Sequence, residues 1–372
     1  MARADGRVIF VRHALPGERV RIEVTERKKR YWRADAVEVL EASPDRVEAP
    51  CRFAGACGGC DFQHASHAAQ LDLKTTVLRE QLTRLGGLSE AEASRGRVEA
   101  LPGGALGWRT RVQYAVGSDG RPGLRAHRSR EVVHVDECVV ADPAIRGADV
   151  LRRRWRGSNE VGVTSGPDGE ASVYTKRDRR GRKRMVSGDA DVVRRVAGRD
   201  FRVAADGFWQ VHRDAAETFS ACVRAMAAPR GGETVWDLYA GAGVFAAAAA
   251  EAVGTSGRVV AVELDGAATA DNLADLPHVE VRSGDVSALL GGMPSPDVVI
   301  LDPPRAGAGA GVVDSIASAA PRAIVYVACD PAALARDLRT FAAAGFGLED
   351  LRAFDAFPMT HHFETVALLS RG

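Results

Sequence analysis

The chain has 372 residues, 50 Lys and Arg against 49 Asp and Glu for a net charge of +1, and 46% apolar residues, enough for packed cores in two or three domains. No apolar run reaches membrane length and no secretory leader is recognisable, so a cytoplasmic protein without a membrane partner is expected, and six cysteines in that compartment point to metal or catalysis before disulfides. The charge is divided unevenly: residues 1–201 hold 38 Lys and Arg against 28 Asp and Glu, and residues 202–372 hold 12 against 21, which predicts a basic region facing a polyanion joined to an acidic, compact catalytic region.

Residues 7–43 alternate apolar and polar positions around a turn at Pro16-Gly17 and read as short antiparallel strands. Phe10, Arg12, Arg21, Lys28, Lys29, Arg30, Tyr31, Trp32 and Arg33 mix cations with aromatics. Small β-barrels that hold single-stranded nucleic acid have that composition, and so does a plain solvated face. Through GRVIFV and LPGERV the segment resembles a TRAM domain, a small RNA-binding barrel of OB type. Met1 falls where that resemblance implies an earlier strand, so a missing amino-terminal strand or a misassigned start is expected.

Cys51, Cys57 and Cys60 follow in CRFAGACGGC, with Cys138 far downstream in HVDECVV. Three thiols this close, among glycines that let the backbone fold tightly, plus a distant fourth make a four-thiolate site. Zinc accepts the same ligand set, but zinc ribbons pair two Cys-x2-Cys knuckles and this chain has one knuckle flanked by single cysteines, so an iron–sulfur cluster leads and zinc is the rival. Residues 64–87 carry helical periodicity through Leu71, Val77, Leu78, Leu82 and Leu85 and stop at Gly86-Gly87. Residues 107–117 and 123–140 read as arginine-rich strands, with Arg109 and Arg111 alternating against Val112 and Tyr114 on one sheet face. The basic runs 152–156 and 176–184 suit phosphate contacts or solubility, the second as an exposed hairpin loop.

The last third is regular. ETVWDLY, GRVVAVELD, HVEVRSGD, PDVVILDPP and AIVYVACD recur between helical or linking segments, which predicts a mostly parallel, doubly wound sheet. The first of these strands ends in Asp237-Leu238-Tyr239-Ala240-Gly241-Ala242-Gly243, a turn that lets a ligand approach the backbone, and the second ends in Glu263, about twenty residues on, suited to a ribose. A nicotinamide cofactor fits those features equally. Cys329 sits at the carboxyl end of the fifth strand, where an open α/β sheet presents reactive groups, so it is a candidate nucleophile as well as a candidate buried hydrophobe. Cys222 reads as core packing in a helix.

With Asp302-Pro303-Pro304-Arg305, Cys329-Asp330-Pro331, Phe208-x-Gln210 and Phe357-Pro358-x-Thr360-x-His362-x-Glu364 all present, nearly the whole chain resembles the uridine-5 RNA methyltransferase family. The resemblance implies an α/β fold with a Rossmann-like class I methyltransferase sheet over 201–372, a β-rich central iron–sulfur and RNA-binding domain over 44–200 whose helix 64–87 packs on the catalytic domain, and a TRAM-like barrel over 1–43. It implies S-adenosylmethionine as donor, ribosomal or transfer RNA as partner without an obligate protein partner, 5-methyluridine as product, and a 4Fe-4S cluster on Cys51, Cys57, Cys60 and Cys138. Carbon 5 of uracil is a poor nucleophile, so a thiolate adds at carbon 6 and the enolate at carbon 5 takes the methyl. The resemblance gives that addition to Cys329 and removal of the carbon 5 proton to Glu364.

By the same resemblance Gln210, Tyr239, Glu263 and Asp302 line the donor site, Gly241 and Gly243 shape its floor, and Asp285 neighbours the adenine. Asp302 alternatively holds the uracil edge, and Arg305 pairs with a phosphate or braces its loop. His212, His361 and His362 lack metal-ligand spacing. Asp330 stands where many members have Asn and Val244 where some have Asn, departures that touch donor orientation and leave the reaction type intact. An RNA-binding factor on a methyltransferase fold and an RNA cytosine-5 methyltransferase are the alternatives.

Overall fold

The structure, a computed structural model, describes residues 2–4, 6–177, 181 and 183–371. Its amino-terminal sheet has strands Ala2–Ala4, Arg7–Arg12, Arg19–Arg27 and Tyr31–Glu41. The expected run of antiparallel neighbours is corrected in one respect. Tyr31–Glu41 lies between the two strands that flank the Pro16-Gly17 turn, antiparallel to Arg19–Arg27 and parallel to Arg7–Arg12. A turn signal marks a reversal of the chain and does not require the flanking strands to pair. Arg7 and Arg27 lie over the Trp32 ring and Arg33 over Tyr31, while Phe10, 48% exposed, meets Tyr31 edge to face.

The middle of the chain forms a six-stranded sheet in the order Arg184–Ser187, Ala171–Lys176, Glu160–Ser165, Arg111–Val116, Pro122–Arg125, Val132–Val133, with a hairpin, Asp191–Val196 and Arg199–Ala204, beside it. Residues 178–180 and 182 of the second basic run lie outside the described residues. The expectation that Arg109 and Arg111 share a sheet face is corrected. The strand begins at Arg111, and Arg109 instead bridges to Ala141 and His212. Burial lowers the basicity of its guanidinium, which lies over the ring of the buried Trp108.

The third sheet has eight strands in the order Val279–Ser283, Arg258–Glu263, Thr234–Leu238, Val298–Leu301, Ala323–Ala328, Glu364–Arg371, Phe346–Asp355, Val98–Ala100. The first five pair in parallel, the next two antiparallel. All four residues of Val298–Leu301 and all six of Ala323–Ala328 are buried, the continuous apolar run that a strand covered on both faces requires. Each such Val, Ile or Leu contributes about 1.5–3 kcal/mol by leaving water. Helices Ala215–Ala227 and Val244–Val253 pack on one face, and His67–Arg84, Ala310–Ser318 and Pro331–Ala343 on the other. His67–Arg84 docks its Leu78 and Leu82, both fully buried, and its Lys74 pairs with the buried Asp355 of the sheet at 2.5 Å. Val98–Ala100, from within the stretch 44–200, pairs parallel with the sheet's edge. The described residues include no helix long and apolar enough to cross a membrane.

Candidate active site

The strand order reverses at Thr234–Leu238, whose neighbours are Arg258–Glu263 on one side and Val298–Leu301 on the other. The crevice over the carboxyl ends at such a switch point is where open α/β sheets bind ligands. Tyr239 follows the first strand with φ 64°, a left-handed conformation uncommon for a non-glycine residue and concentrated at functional turns. Gly241 continues the turn at φ 56°, and a Cβ built there meets no protein atom within 4 Å, so its backbone borders open space. A Cβ on Gly243 would strike the Leu273 side chain at 2.9 Å. Glu263 braces this loop, its Oε2 accepting from the Gly241 amide at 2.7 Å and its Oε1 from Leu264 at 2.9 Å, and each oxygen retains a free lone pair for a ribose hydroxyl.

Asp285 is exposed and caps the short helix Val286–Leu289 by accepting from the Ser287 amide at 2.9 Å. Gln210 is half-buried, two residues after Phe208, which is 68% exposed. Asp302 follows Val298–Leu301 and donates its amide to the Leu238 carbonyl, which joins its loop to the glycine turn. The fit of a cationic donor is tested by Asp237. It is fully buried, among the described residues neither carboxylate oxygen has a hydrogen-bond partner, and burial, with Asp302 and Glu263 nearby, pushes its carboxyl up to about 8. An orphaned carboxyl beneath an open glycine loop suits a ligand that brings positive charge.

Ala328 pairs with Thr365 as the last antiparallel partners of their strands, and the Thr365 hydroxyl donates to the Ala328 carbonyl at 3.0 Å. The same register carried one step beyond the paired residues leads to Cys329 and Glu364, and the Glu364 charge acts on the Cys329 thiol. Directly opposed residues lie about 4.5–5.5 Å apart between Cα atoms, so thiol and carboxyl border one space. Burial pushes the Cys329 thiol up to about 11, the charges of Glu364 and Asp302 adding to it and Arg305 opposing. Glu364 is 3% exposed, and burial and Asp302 hold its carboxyl well above the usual range. Asp302 keeps some solvent contact, yet burial lifts it to about 7. The site is a set of carboxyl groups kept protonated, or nearly so, around a thiol, the perturbation typical of reacting groups.

The structure also brings in residues whose roles the sequence hides. Asp237 precedes the glycine turn, and residue type alone gives it no role. Its signal is one acid in an apolar strand, VWDL. Asp337 accepts from the Ala308 amide and the Tyr326 hydroxyl, both at 2.7 Å, and so fixes the loop after Asp302. Asp330 caps helix Pro331–Ala343 by accepting from Ala333 at 2.8 Å, a role that Asn fills equally well. The departure at Asp330 thus leaves the Cys329 turn intact.

The four cysteines Cys51, Cys57, Cys60 and Cys138 line one cavity of about 250 Å³ together with Phe53, Gln63, Arg109 and Val140. Among the described residues no three His, Cys, Asp or Glu side chains converge on a single ion. Cys222 is buried in the core of the catalytic unit.

The family described as tRNA (Uracil-5-)-methyltransferase matches residues 295–372, and the TRAM domain family matches residues 1–37. An RNA methyltransferase of uncharacterised role from Streptomyces avermitilis is 45% identical over 98% of this chain and 93% of its own length. The 23S rRNA (uracil(1939)-C(5))-methyltransferase RlmD of Chromohalobacter salexigens is 32% identical over 98% of this chain and 85% of its own. The crystal structure of the Pyrococcus abyssi tRNA (uracil-54, C5)-methyltransferase in complex with S-adenosyl-L-homocysteine shares the fold, with a TM-score of 0.74 at 24% identity over 97% of this chain and 94% of that one.

Proposed function

The chain belongs to the family of S-adenosylmethionine-dependent RNA (uracil-C5) methyltransferases, and on that premise we propose that Cys329 is its nucleophile, Glu364 its base, and Asp237, Tyr239, Gly241, Gly243, Glu263, Asp285, Asp302 and Gln210 its donor site. The observation that supports this reading most is that the strand register ending at Ala328 and Thr365 leads directly to Cys329 and Glu364, whose charge acts on the thiol. S-adenosylmethionine brings the methyl group as an electrophile on a sulfonium. Asp237, ionising as positive charge arrives, offsets that charge, and Glu263 accepts from the ribose.

Cys329 loses its proton to solvent and, as the thiolate, forms its sulfur bond to carbon 6 of the target uracil. The electron pair reaches carbon 5, which takes the methyl group. Glu364 then removes the carbon 5 proton, and the sulfur–carbon bond breaks with its pair returning to Cys329. The burial that raises Glu364 makes its carboxylate, once ionised, the stronger base for the carbon 5 proton.

The substrate we infer is a uridine in ribosomal or transfer RNA, and the compartment the cytoplasm. The exposed Phe10 and the arginines stacked on Trp32 and Tyr31 are the stacking surface we assign to single-stranded RNA. Cys51, Cys57, Cys60 and Cys138 are proposed to hold one 4Fe-4S cluster. The support is that all four line one cavity, with zinc as the rival occupant. Since the reaction balances without an electron, the cluster's part is to hold structure. Protein purified without oxygen is expected to be brown, and a colourless protein with stoichiometric zinc contradicts the assignment.

The test of the whole reading is labelled methyl transfer to unmodified ribosomal and transfer RNA followed by nucleoside analysis. Label in 5-methyluridine is expected, and label in 5-methylcytidine overturns the base assignment.

A further inference from the structure

Among the described residues the segment between Asp355 and Glu364 has no strand partner, and the bonds that tie it to the rest of the chain include several from the cysteine-bearing stretch and the helix after it. Met359 is its pivot, at φ 67°, a conformation that a non-glycine residue keeps only when its surroundings hold it. The Met359 carbonyl accepts from the Asp61 amide at 2.8 Å and the Phe62 amide at 2.9 Å, the two residues directly after Cys60. The Asp61 carboxylate meets His361 at 2.6 Å. From the helix His67–Arg84, the fully buried Gln70 accepts from the Met359 amide at 2.9 Å and turns its own amide to the Met359 sulfur. Lys74 donates to the Phe357 carbonyl at 3.2 Å. The Met359 side chain packs with Trp108 and Val140 in a small apolar cluster bordered by Cys60 and Cys138 themselves. Five residues later the chain enters its strand at Glu364.

We propose that the four-cysteine cavity positions the catalytic base: its contents hold Cys60-Asp61-Phe62 in place, that loop and Gln70 hold Met359, and Met359 sets the entry of Glu364 into the sheet. The inference rests on the cluster and base roles assigned above and makes Asp61 and Gln70 positioning residues, since neither touches substrate. Emptying the cavity then leaves donor binding and thiol addition in being and slows proton removal, so the covalent protein–RNA adduct persists. The same result follows in the loaded protein from Gln70→Leu, which keeps apolar volume and removes the bond to the Met359 amide, or from Asp61→Ala, which removes the His361 pair.

The deciding experiment is amide hydrogen exchange on the intact protein, before and after the metal is stripped by oxidation and chelation, with adduct formation on unmodified RNA followed in parallel. Exchange in residues 356–363 is expected to quicken roughly tenfold or more on stripping, as local opening allows, while Thr234–Leu238 and Ala323–Ala328 stay protected. Gln70→Leu is expected to lower kcat without raising KM for RNA and to accumulate adduct. Unchanged exchange at 356–363 overturns the proposal, as does loss of protection across the whole sheet, which makes the cavity a support of the fold at large. A Gln70→Leu or Asp61→Ala protein with a raised KM and no adduct overturns it too. Failure of Glu364→Gln to accumulate adduct refutes the base assignment separately, and the exchange result then still decides whether the cavity governs this segment.

Discussion

Cys329 and the four cysteines of the central domain are half-buried in different company. Cys329, at the carboxyl edge of the eight-stranded sheet, faces Glu364 and Asp302, which add to the burial that raises its thiol. Cys51, Cys57, Cys60 and Cys138 face one another across a cavity that also holds Arg109 and apolar side chains. Burial lifts thiols in both places, so desolvation alone does not tell a nucleophile from a ligand. The neighbours do. A single thiol among carboxyl groups is the one proposed as nucleophile, whereas four thiols round one space are the donor set proposed to hold a cluster.

The largest effect that this contrast predicts is at the single thiol. Cys329→Ala is expected to lower methyl transfer by roughly 10⁴-fold or more, as loss of a covalent nucleophile does, with donor affinity unchanged. A variant that still methylates at a normal rate removes the distinction between the two sites. Glu364→Gln comes next, with turnover lowered by roughly 10²–10⁴-fold, the range of a lost general base, and addition at carbon 6 intact. Cys138→Ser should act on the other side of the contrast, abolishing the visible absorption of the anaerobic protein while a Cys329→Ala protein keeps it. If Cys329→Ala also bleaches the protein, the two sites are not separate.

The smallest effect concerns protons. Asp237 keeps its proton in the donor-free fold up to about pH 8, whereas in the unfolded chain it loses it near pH 4. The folded state therefore binds more protons across that window, and this group's contribution to stability is present below about pH 4 and is lost as pH rises towards 8, by at most about 1.4 kcal/mol per pH unit. Because the donor needs the ionised form, its affinity rises over the same window. Calorimetric titration from pH 6 to 8.5 checks this. Asp237→Asn should flatten the dependence and weaken binding, and an unchanged slope in that variant assigns the proton elsewhere.

Most of the parallel sheet was legible because each central strand is a short β-branched run closed by Asp, Gly or Pro, and Cys329 and Asp302 could be put at strand ends on that ground alone. Val98–Ala100 was not, since three residues at an edge carry no readable period. The pairing of Arg7–Arg12 with Tyr31–Glu41 was hidden for another reason: a parallel neighbour leaves no local turn signal. Arg109 and Asp237 were hidden because sequence shows residue type and not company. Their burial follows from contacts with Trp108 and with the strands either side of Thr234–Leu238, all set by the tertiary fold. Gln70 and Lys74 read as ordinary polar positions of an amphipathic helix, and their partners at Met359 and Asp355 are nearly three hundred residues away.

The mechanism depends on a covalent bond between Cys329 and carbon 6 of a uracil, broken only after Glu364 has taken the carbon 5 proton. It is best tested by mass spectrometry of the denatured Glu364→Gln protein after incubation with S-adenosylmethionine and unmodified RNA. A nuclease-resistant adduct is expected on the peptide containing Cys329, heavier than an unmodified uridine adduct by one methyl group. Methylated RNA released with no adduct on any cysteine, or an adduct on a cysteine other than Cys329, contradicts the mechanism.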